Sequence, residues 1–175
     1  MKSTKQTLLI VIAALAFTFT SCIKTDDYID WKVMNDEWFT ANLESKESYP
    51  FEWTIDVLKT PVIQDEFKIT ESGVKYKRLR KGNPTEKKPN LSSYIYATYE
   101  GKLIDGTKFD SGTEKYLGQT YGFVSGFQEI ILKMTIGDIY EIYIPYTCGY
   151  GKEKAYKVPP YSTLIFRIEL TDVLQ

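Results

Sequence analysis

The chain of 175 residues contains no histidine, only two cysteines and no strong excess of either charge. Without histidine, catalytic triads that use an imidazole base and most zinc sites are excluded. Lys and Arg number 22 against 23 Asp and Glu, so there is no basic field of the kind that attracts nucleic acid. The sequence also has no internal repeat and no low-complexity tract. We therefore expect no nucleic-acid partner, no bound metal and no cofactor.

Aromatic residues, by contrast, are abundant, with 14 Tyr, 9 Phe and 3 Trp. Rigid, amphipathic rings suit both a hydrophobic core and a surface that binds peptides. The length suits one domain with a short extension.

The first residues have the pattern of an export signal. Two lysines precede an unbroken apolar run at 8–17, which is shorter than the roughly 20 residues that span a bilayer. This pattern predicts a signal peptide at 1–21. The run closes on Phe-Thr-Ser-Cys, which resembles a bacterial lipobox and makes Cys22 the expected site of lipidation. An ordinary signal peptide or a buried N-terminal helix are the alternatives.

A lipid on Cys22 determines where the protein is expected. Acyl chains anchor a soluble domain to a membrane surface, and the expected location is the bacterial cell envelope, at the periplasmic or surface side of the outer membrane. Lipidation also leaves Cys148 without an intrachain disulfide partner. Cys148 is expected to be a semi-buried loop residue.

The segment at 22–65 is interpreted as a tether and a helical extension. Its spacing of apolar residues predicts a helix over 31–46, with Trp31, Met34 and Trp38 on one face and Asp30 as the N-cap. That aromatic face must pack against something. Packing on the chain's own domain is favoured, while a second copy, giving a homodimer through 31–46, or another partner stay open.

From residue 66 to the end, the pattern is that of antiparallel strands. Alternation predicts strands at 74–80 and 94–99, then a hairpin turn at Asp105-Gly106. Two further strands, at 138–144 and 163–171, are each predicted to bury one face. Their inward residues would be Tyr140, Ile142 and Ile144 in the first, and Leu164, Phe166, Ile168 and Leu170 in the second.

A single short helix is predicted between these strands. Ser125 and Gln128 have the spacing of a capping box, and the segment Glu-Ile-Ile-Leu-Lys-Met at 129–134, the best candidate for a short helix, follows directly. A long loop rich in Gly, Tyr and Pro occupies 145–162, and a loop of that length is usually functional or disordered. The predicted fold class is α+β, with a curved antiparallel sheet wrapped around one short helix and an N-terminal helical extension.

Two segments of this domain resemble a known family. The sequence Tyr-Glu-Gly-Lys-Leu-Ile-Asp-Gly-Thr-Lys-Phe-Asp-Ser-Gly at 99–112 and the final segment Val-Pro-Pro-Tyr-Ser-Thr-Leu-Ile-Phe-Arg-Ile-Glu-Leu at 158–170 resemble the FKBP family of peptidyl-prolyl isomerases. The resemblance covers roughly residues 66–175. It implies an FKBP-like fold around a shallow aromatic pocket.

The resemblance also implies the residues of that pocket. The catalytic residues would be Tyr99, Asp110 and Tyr150, with the Tyr150 hydroxyl facing the substrate carbonyl and the Val124 N–H binding it. Phe127 would form the floor, where many relatives have Trp, and Tyr116 would be another pocket aromatic. The residues expected to bind substrate are Phe109, Phe123, Val124, Phe127, Val158 and Phe166.

The implied function is isomerisation of Xaa-Pro bonds in exported proteins, by an enzyme anchored to a membrane through Cys22. Its expected partners are proline-containing polypeptides, and family members also bind macrolide inhibitors. The rival reading is a non-catalytic FKBP-like module that binds a partner protein, or a surface lipoprotein with vestigial activity.

Overall fold

A computed structural model describes residues 27–50, 52–59 and 65–175. The expected signal peptide and the expected lipidation site at Cys22 lie outside these residues. Among the described residues, no helix combines the length and the apolar character needed to cross a membrane.

Six antiparallel strands form one sheet in the order β1-β2-β5-β6-β3-β4. The strands are β1 (Lys68–Ile69), β2 (Lys75–Arg80), β3 (Tyr94–Lys102), β4 (Lys108–Gln119), β5 (Ile139–Ile144) and β6 (Leu164–Leu174). The helices are α1 (Asp27–Leu43), α2 (Asp56–Lys59) and α3 (Ser125–Ile131), with single 3-10 turns at Thr120–Gly122 and Tyr146–Cys148. The predicted α+β architecture is therefore confirmed.

The inner face of the sheet packs against α3. Tyr140, Ile142 and Ile144 of β5 join the main core, as the alternation predicted, and so do the four inward residues of β6. From α3 the core receives Phe127, Ile130 and Ile131. This burial of aliphatic and aromatic side chains is the main force holding the helix against the sheet. The turn between β3 and β4 also lies where predicted, with Gly106 at a positive φ of 88° that a side chain would strain.

The outer face of the sheet is also buried, and here the prediction of one buried face per strand is wrong. All six residues of β5 are buried. Tyr143 and Ile165 belong to a second core with Tyr49 and Trp53 of the N-terminal extension. Leu58 of α2 closes a third, smaller cluster with Leu79 and Ile139. The extension therefore covers the face that would otherwise meet solvent.

Two buried carboxylates on this outer face bind the backbone of the extension. Glu141 accepts hydrogen bonds from the N–H of Tyr49 at 3.0 Å and from the Tyr143 hydroxyl at 2.7 Å. Its other oxygen accepts from Arg167 Nε at 2.7 Å. Glu100 accepts from the Thr54 N–H at 3.1 Å. Burial alone would raise the pKa of Glu100, but the bonds from Thr54 and Lys102 hold it below its usual value.

Buried cations on the same face bind carbonyl groups of the extension. Arg167 Nη1 donates to the carbonyl of Leu58 at 2.8 Å, and Lys102 donates to the carbonyl of Glu52. Lys75 donates to the carbonyls of Asn42 and Ser45 at the end of α1, where orphan carbonyls need donors. Hydrogen bonds to charged groups contribute about 1.5–3 kcal/mol each. Side chains of the sheet therefore hold the irregular N-terminal extension by binding the main chain of that extension.

The helix α1 differs from its prediction in position and in its buried face. It spans Asp27–Leu43, so Asp30 lies inside the first turn and is not the N-cap. Met34 is 51% exposed, although it was predicted to share a face with Trp31 and Trp38. The buried face is centred on Asn35, which is 1% exposed. A polar residue at the centre of the buried face hid the true orientation from an apolar pattern.

Candidate active site

A cavity of about 160 Å³ opens between α3, the β3–β4 hairpin, β6 and the loop that follows β5. Eight of the ten residues named from the resemblance line it. The lining residues are Tyr99, Phe109, Asp110, Leu117, Gly122, Phe123, Val124, Phe127, Tyr150, Leu164 and Phe166. Tyr116 and Val158 are not in the lining, and Val158 is 3% exposed and belongs to the main core.

Four phenylalanines form the floor and one wall of the cavity by edge-to-face contact. The ring centroids of Phe127 and Phe166 lie 5.1 Å apart, and those of Phe109 and Phe166 lie 5.3 Å apart. Phe123 meets Phe127 at 5.2 Å. Such arrangements match the quadrupoles of the rings and fix their orientation. The result is an apolar surface that is preformed and rigid.

Gly101 makes room for two of these rings. A Cβ at this position of β3 would lie 2.7 Å from Phe109 Cζ and 2.7 Å from Phe166 Cε1. Real Cβ atoms do not approach other heavy atoms this closely, so a side chain at 101 would displace the floor. The absence of a side chain is here a packing requirement of the pocket.

The polar side of the cavity is built on Tyr99 and Asp110. The Tyr99 hydroxyl donates to Asp110 Oδ2 at 2.7 Å. Lys115 Nζ donates to the Tyr99 oxygen at 3.1 Å and lies 3.7 Å from Asp110 Oδ1. Burial, and then the hydrogen bond to the Asp110 carboxylate, raise the pKa of Tyr99. Tyr99 therefore stays protonated at neutral pH and keeps the carboxylate in one orientation.

Two donors that border the cavity have no partner within the described part of the chain. These are the Val124 N–H and the Tyr150 hydroxyl. The Tyr150 side chain is 44% exposed, and burial followed by the charge of Asp110 raises its pKa. A neutral hydroxyl and an amide N–H are thus available to bind a carbonyl oxygen.

The start of α3 differs from the predicted capping box. Ser125 is the first helical residue, Val124 occupies the N-cap, and no side chain caps the helix. Ser125 Oγ instead donates to the carbonyl of Cys148 at 3.3 Å. Gln128 donates to the carbonyls of Tyr121 and Phe123, each at 2.8 Å. These bonds fix the cavity rim, which explains the Ser-x-x-Gln spacing without a cap.

Four residues of the site were not named from the sequence, and one residue that was named, Tyr116, lies outside the cavity. Leu117, and not Tyr116, lines the cavity; Tyr116 is 48% exposed and its ring stacks on Tyr94 at 6.1 Å. Leu117 was detectable, because it lies eight residues after Phe109 and so in phase with the alternation of β4, whereas Tyr116 is out of phase. Leu164 was detectable, because it lies two residues before Phe166 on one strand face. Gly122 and Lys115 gave no comparable signal.

Comparison with known proteins assigns the family. The family model of the FKBP-type peptidyl-prolyl cis-trans isomerases matches residues 85–171. The chain is 38% identical over 105 residues to FK506-binding protein 2 of Yarrowia lipolytica, which covers 54% of this chain and 72% of that protein.

The chain belongs to the FKBP family. It is also 36% identical over 111 residues to the outer membrane protein MIP of Legionella longbeachae, across 60% of this chain and 46% of that protein. The crystal structure of FkpA from Escherichia coli superimposes with a TM-score of 0.67 at 25% identity, covering 85% of this chain and 61% of that one. This FKBP-family chain spans about half the length of most of its curated relatives.

The role of Gly101 gives a direct test of the floor. Gly101→Ala should lower the free energy of unfolding by about 1–3 kcal/mol, because the added methyl overpacks Phe109 and Phe166. Urea denaturation followed by circular dichroism measures the change.

The matched control is Gly122→Ala, since a Cβ there meets nothing within 4 Å. It should change the free energy of unfolding by no more than about 0.5 kcal/mol. Equal stability of the two variants would contradict the packing of the floor.

Proposed function

We propose that this protein is a peptidyl-prolyl cis-trans isomerase that acts on Xaa-Pro bonds of exported polypeptides. The observation that carries the proposal is the combination of a preformed aromatic cavity with two unpartnered donors, the Val124 N–H and the Tyr150 hydroxyl. An apolar proline ring fits the phenylalanine floor. The carbonyl that precedes the proline can accept a hydrogen bond from either donor.

The chemistry needs no acid, base or nucleophile. Rotation about a peptide bond faces a barrier of about 18–20 kcal/mol, because amide resonance must be lost. The twisted amide is less dipolar than the planar one, so an apolar pocket favours it over the planar ground state. Catalysis then follows from binding the transition state more tightly than the substrate. Tyr150 and Val124 would hold the carbonyl, and the Tyr99–Asp110 pair would keep the polar wall in place.

The proposed substrates and location rest on the N-terminal sequence. The basic start, the apolar run and Cys22 support export and lipid anchoring. The relative from Legionella longbeachae is named as an outer membrane protein, which agrees with a place in the cell envelope. Proline-containing segments of exported proteins are then the substrates within reach, and macrolides are the expected inhibitors of the same cavity.

One observation favours a second candidate, a binding module with vestigial catalysis. Phe127 lies on the floor where many family members have Trp, and this removes an indole N–H together with contact area. In this second reading the cavity binds a proline-containing partner without accelerating rotation. The two candidates share the site and differ only in the rate that the site confers.

An isomerisation assay separates the two. The protein should accelerate cis-trans exchange of an Ala-Leu-Pro-Phe peptide, and Tyr150→Phe should lower kcat/KM by about tenfold, the loss of one hydrogen bond worth about 1.4 kcal/mol. Asp110→Leu should lower it further, because Tyr99 loses its acceptor. Tyr121→Phe, at an exposed hydroxyl outside the lining, is the matched control. A folded parent without activity would favour the binding module.

Lipid anchoring has its own test. Cys22→Ser removes the expected acylated thiol, so the protein should move from the membrane fraction to the soluble fraction. Fractionation of cells that produce each form measures this change. Cys148→Ser is the control, because Cys148 is buried beside Ser72 and should leave the distribution unchanged. Membrane association that survives Cys22→Ser would rule out the lipid anchor.

A further inference from the structure

The helix α1 contacts the C-terminal end of the loop at 145–162, here called the pocket loop because it carries Tyr150. Trp31 Nε1 donates to the Ser162 hydroxyl at 2.9 Å, and that hydroxyl donates to the carbonyl of Pro159 at 2.8 Å. The N–H of Thr163 donates to Asn35 Oδ1 at 2.7 Å. All of these contacts lie at the C-terminal end of the pocket loop, directly before the strand that carries Phe166.

A third residue of α1 reaches both ends of the loop. Lys32 Nζ lies 5.5 Å from the ring centroid of Tyr146 and 5.9 Å from that of Tyr161, within the range of cation–π attraction. The two rings meet each other edge to face at 5.4 Å. Tyr146 lies near the start of the pocket loop and Tyr161 near its end, so Lys32 lies where the two ends of the loop meet.

Backbone hydrogen bonds connect Tyr146 and Tyr161 to Gly151, the residue that follows Tyr150. The N–H of Tyr161 donates to the carbonyl of Gly151 at 2.8 Å, and the N–H of Gly151 donates to the carbonyl of Tyr146 at 2.9 Å. Gly151 directly follows Tyr150, whose side chain borders the cavity. A shift of Tyr161 would therefore shift the backbone that presents the Tyr150 hydroxyl.

Tyr161 is held in an unfavourable conformation. Its φ of 61° lies in the left-handed region, which L residues adopt only where their surroundings impose it. The contacts from Lys32 on its ring and from Trp31 on its neighbour Ser162 are the surroundings that α1 supplies. Without them, the loop end would be free to relax.

We propose that α1 supports the pocket from outside its lining, and that Trp31 and Asn35 are positioning residues that fix the loop presenting Tyr150. This inference rests on the proposed isomerase function for its kinetic consequence, although the structural coupling is separate from it. The N-terminal extension would then act on the substrate site as well as linking the domain to its anchor.

The chain contains a matched pair of residues for testing this. Asn35 and Asn42 lie on the same helix, and each donates from Nδ2 to the carbonyl four residues earlier at 2.8 Å. Of these two side chains, only Asn35 also accepts a hydrogen bond from the C-terminal end of the pocket loop, from the N–H of Thr163. Comparing Asn35→Ala with Asn42→Ala therefore isolates the contact between α1 and the loop from the loss of an intrahelical bond.

The kinetic measurement uses the full chain in mild detergent and the Ala-Leu-Pro-Phe peptide. Asn35→Ala should raise KM by about fivefold with kcat changed less than about twofold, because a smaller fraction of molecules has the loop ready to bind. Trp31→Phe, which keeps the ring and removes only the Nε1 donor, should act in the same direction. Asn42→Ala should leave both constants unchanged.

Hydrogen exchange of the loop gives a readout that does not need activity. The amides of Gly151 and Tyr161 should exchange about tenfold faster in Asn35→Ala and in Trp31→Phe than in the parent, and not in Asn42→Ala. An inactive parent would overturn the proposed function, and exchange alone would then decide the positioning role. Equal exchange rates in the Asn35→Ala and Asn42→Ala variants would overturn the inference. If the parent is active, faster exchange in Asn35→Ala with the same KM as the parent would overturn it too.

Discussion

The structure depends on one set of contacts, in which charged side chains of the sheet bind the backbone of the N-terminal extension. Glu141 and Glu100 accept N–H groups, while Arg167, Lys102 and Lys75 donate to carbonyls. Burying charge is costly unless each charge is paired and hydrogen-bonded. Here Glu141 pairs with Arg167, and Glu100 pairs with Lys102. Lys75 binds two carbonyls at the end of α1. Without the extension, these buried charges would lose their main-chain partners.

This arrangement gives the domain two cores on opposite faces of one sheet. The inner core carries α3 and the aromatic cavity, and the outer core carries the extension. The central strands β5 and β6 contribute to both. Because α1 crosses from the outer face to the end of the pocket loop, the extension and the cavity belong to one packed body.

Much of the inner core followed from the sequence, for physical reasons. The period of two in β5 and β6 assigned their inward faces, and the hairpin at Asp105-Gly106 needs a residue that tolerates positive φ. The aromatic lining followed from the resemblance of two segments. In each case a short stretch of sequence carried the information.

The outer face could not be predicted in this way. Glu100, Glu141 and Arg167 have the pattern of solvent-facing strand residues, yet they are buried because each binds a backbone group of the N-terminal extension. Glu141 and Arg167 also pair with each other. Asn35 concealed the buried face of α1 for the same reason. Leu117, by contrast, fits the alternation of β4, since it lies eight residues after Phe109. A polar side chain that is buried because it binds the main chain does not contribute to an apolar pattern, so its burial cannot be predicted from that pattern.

Amide hydrogen exchange at Tyr49 and Thr54 tests the central claim, that extension and sheet form one cooperative unit. Their N–H groups donate to Glu141 and Glu100, so they open only when the extension leaves the sheet. We predict that both amides exchange within about tenfold of the slowest amides of β5, through global unfolding. Exchange faster than those amides by about a thousandfold or more would mean that the extension detaches on its own, and would contradict the account.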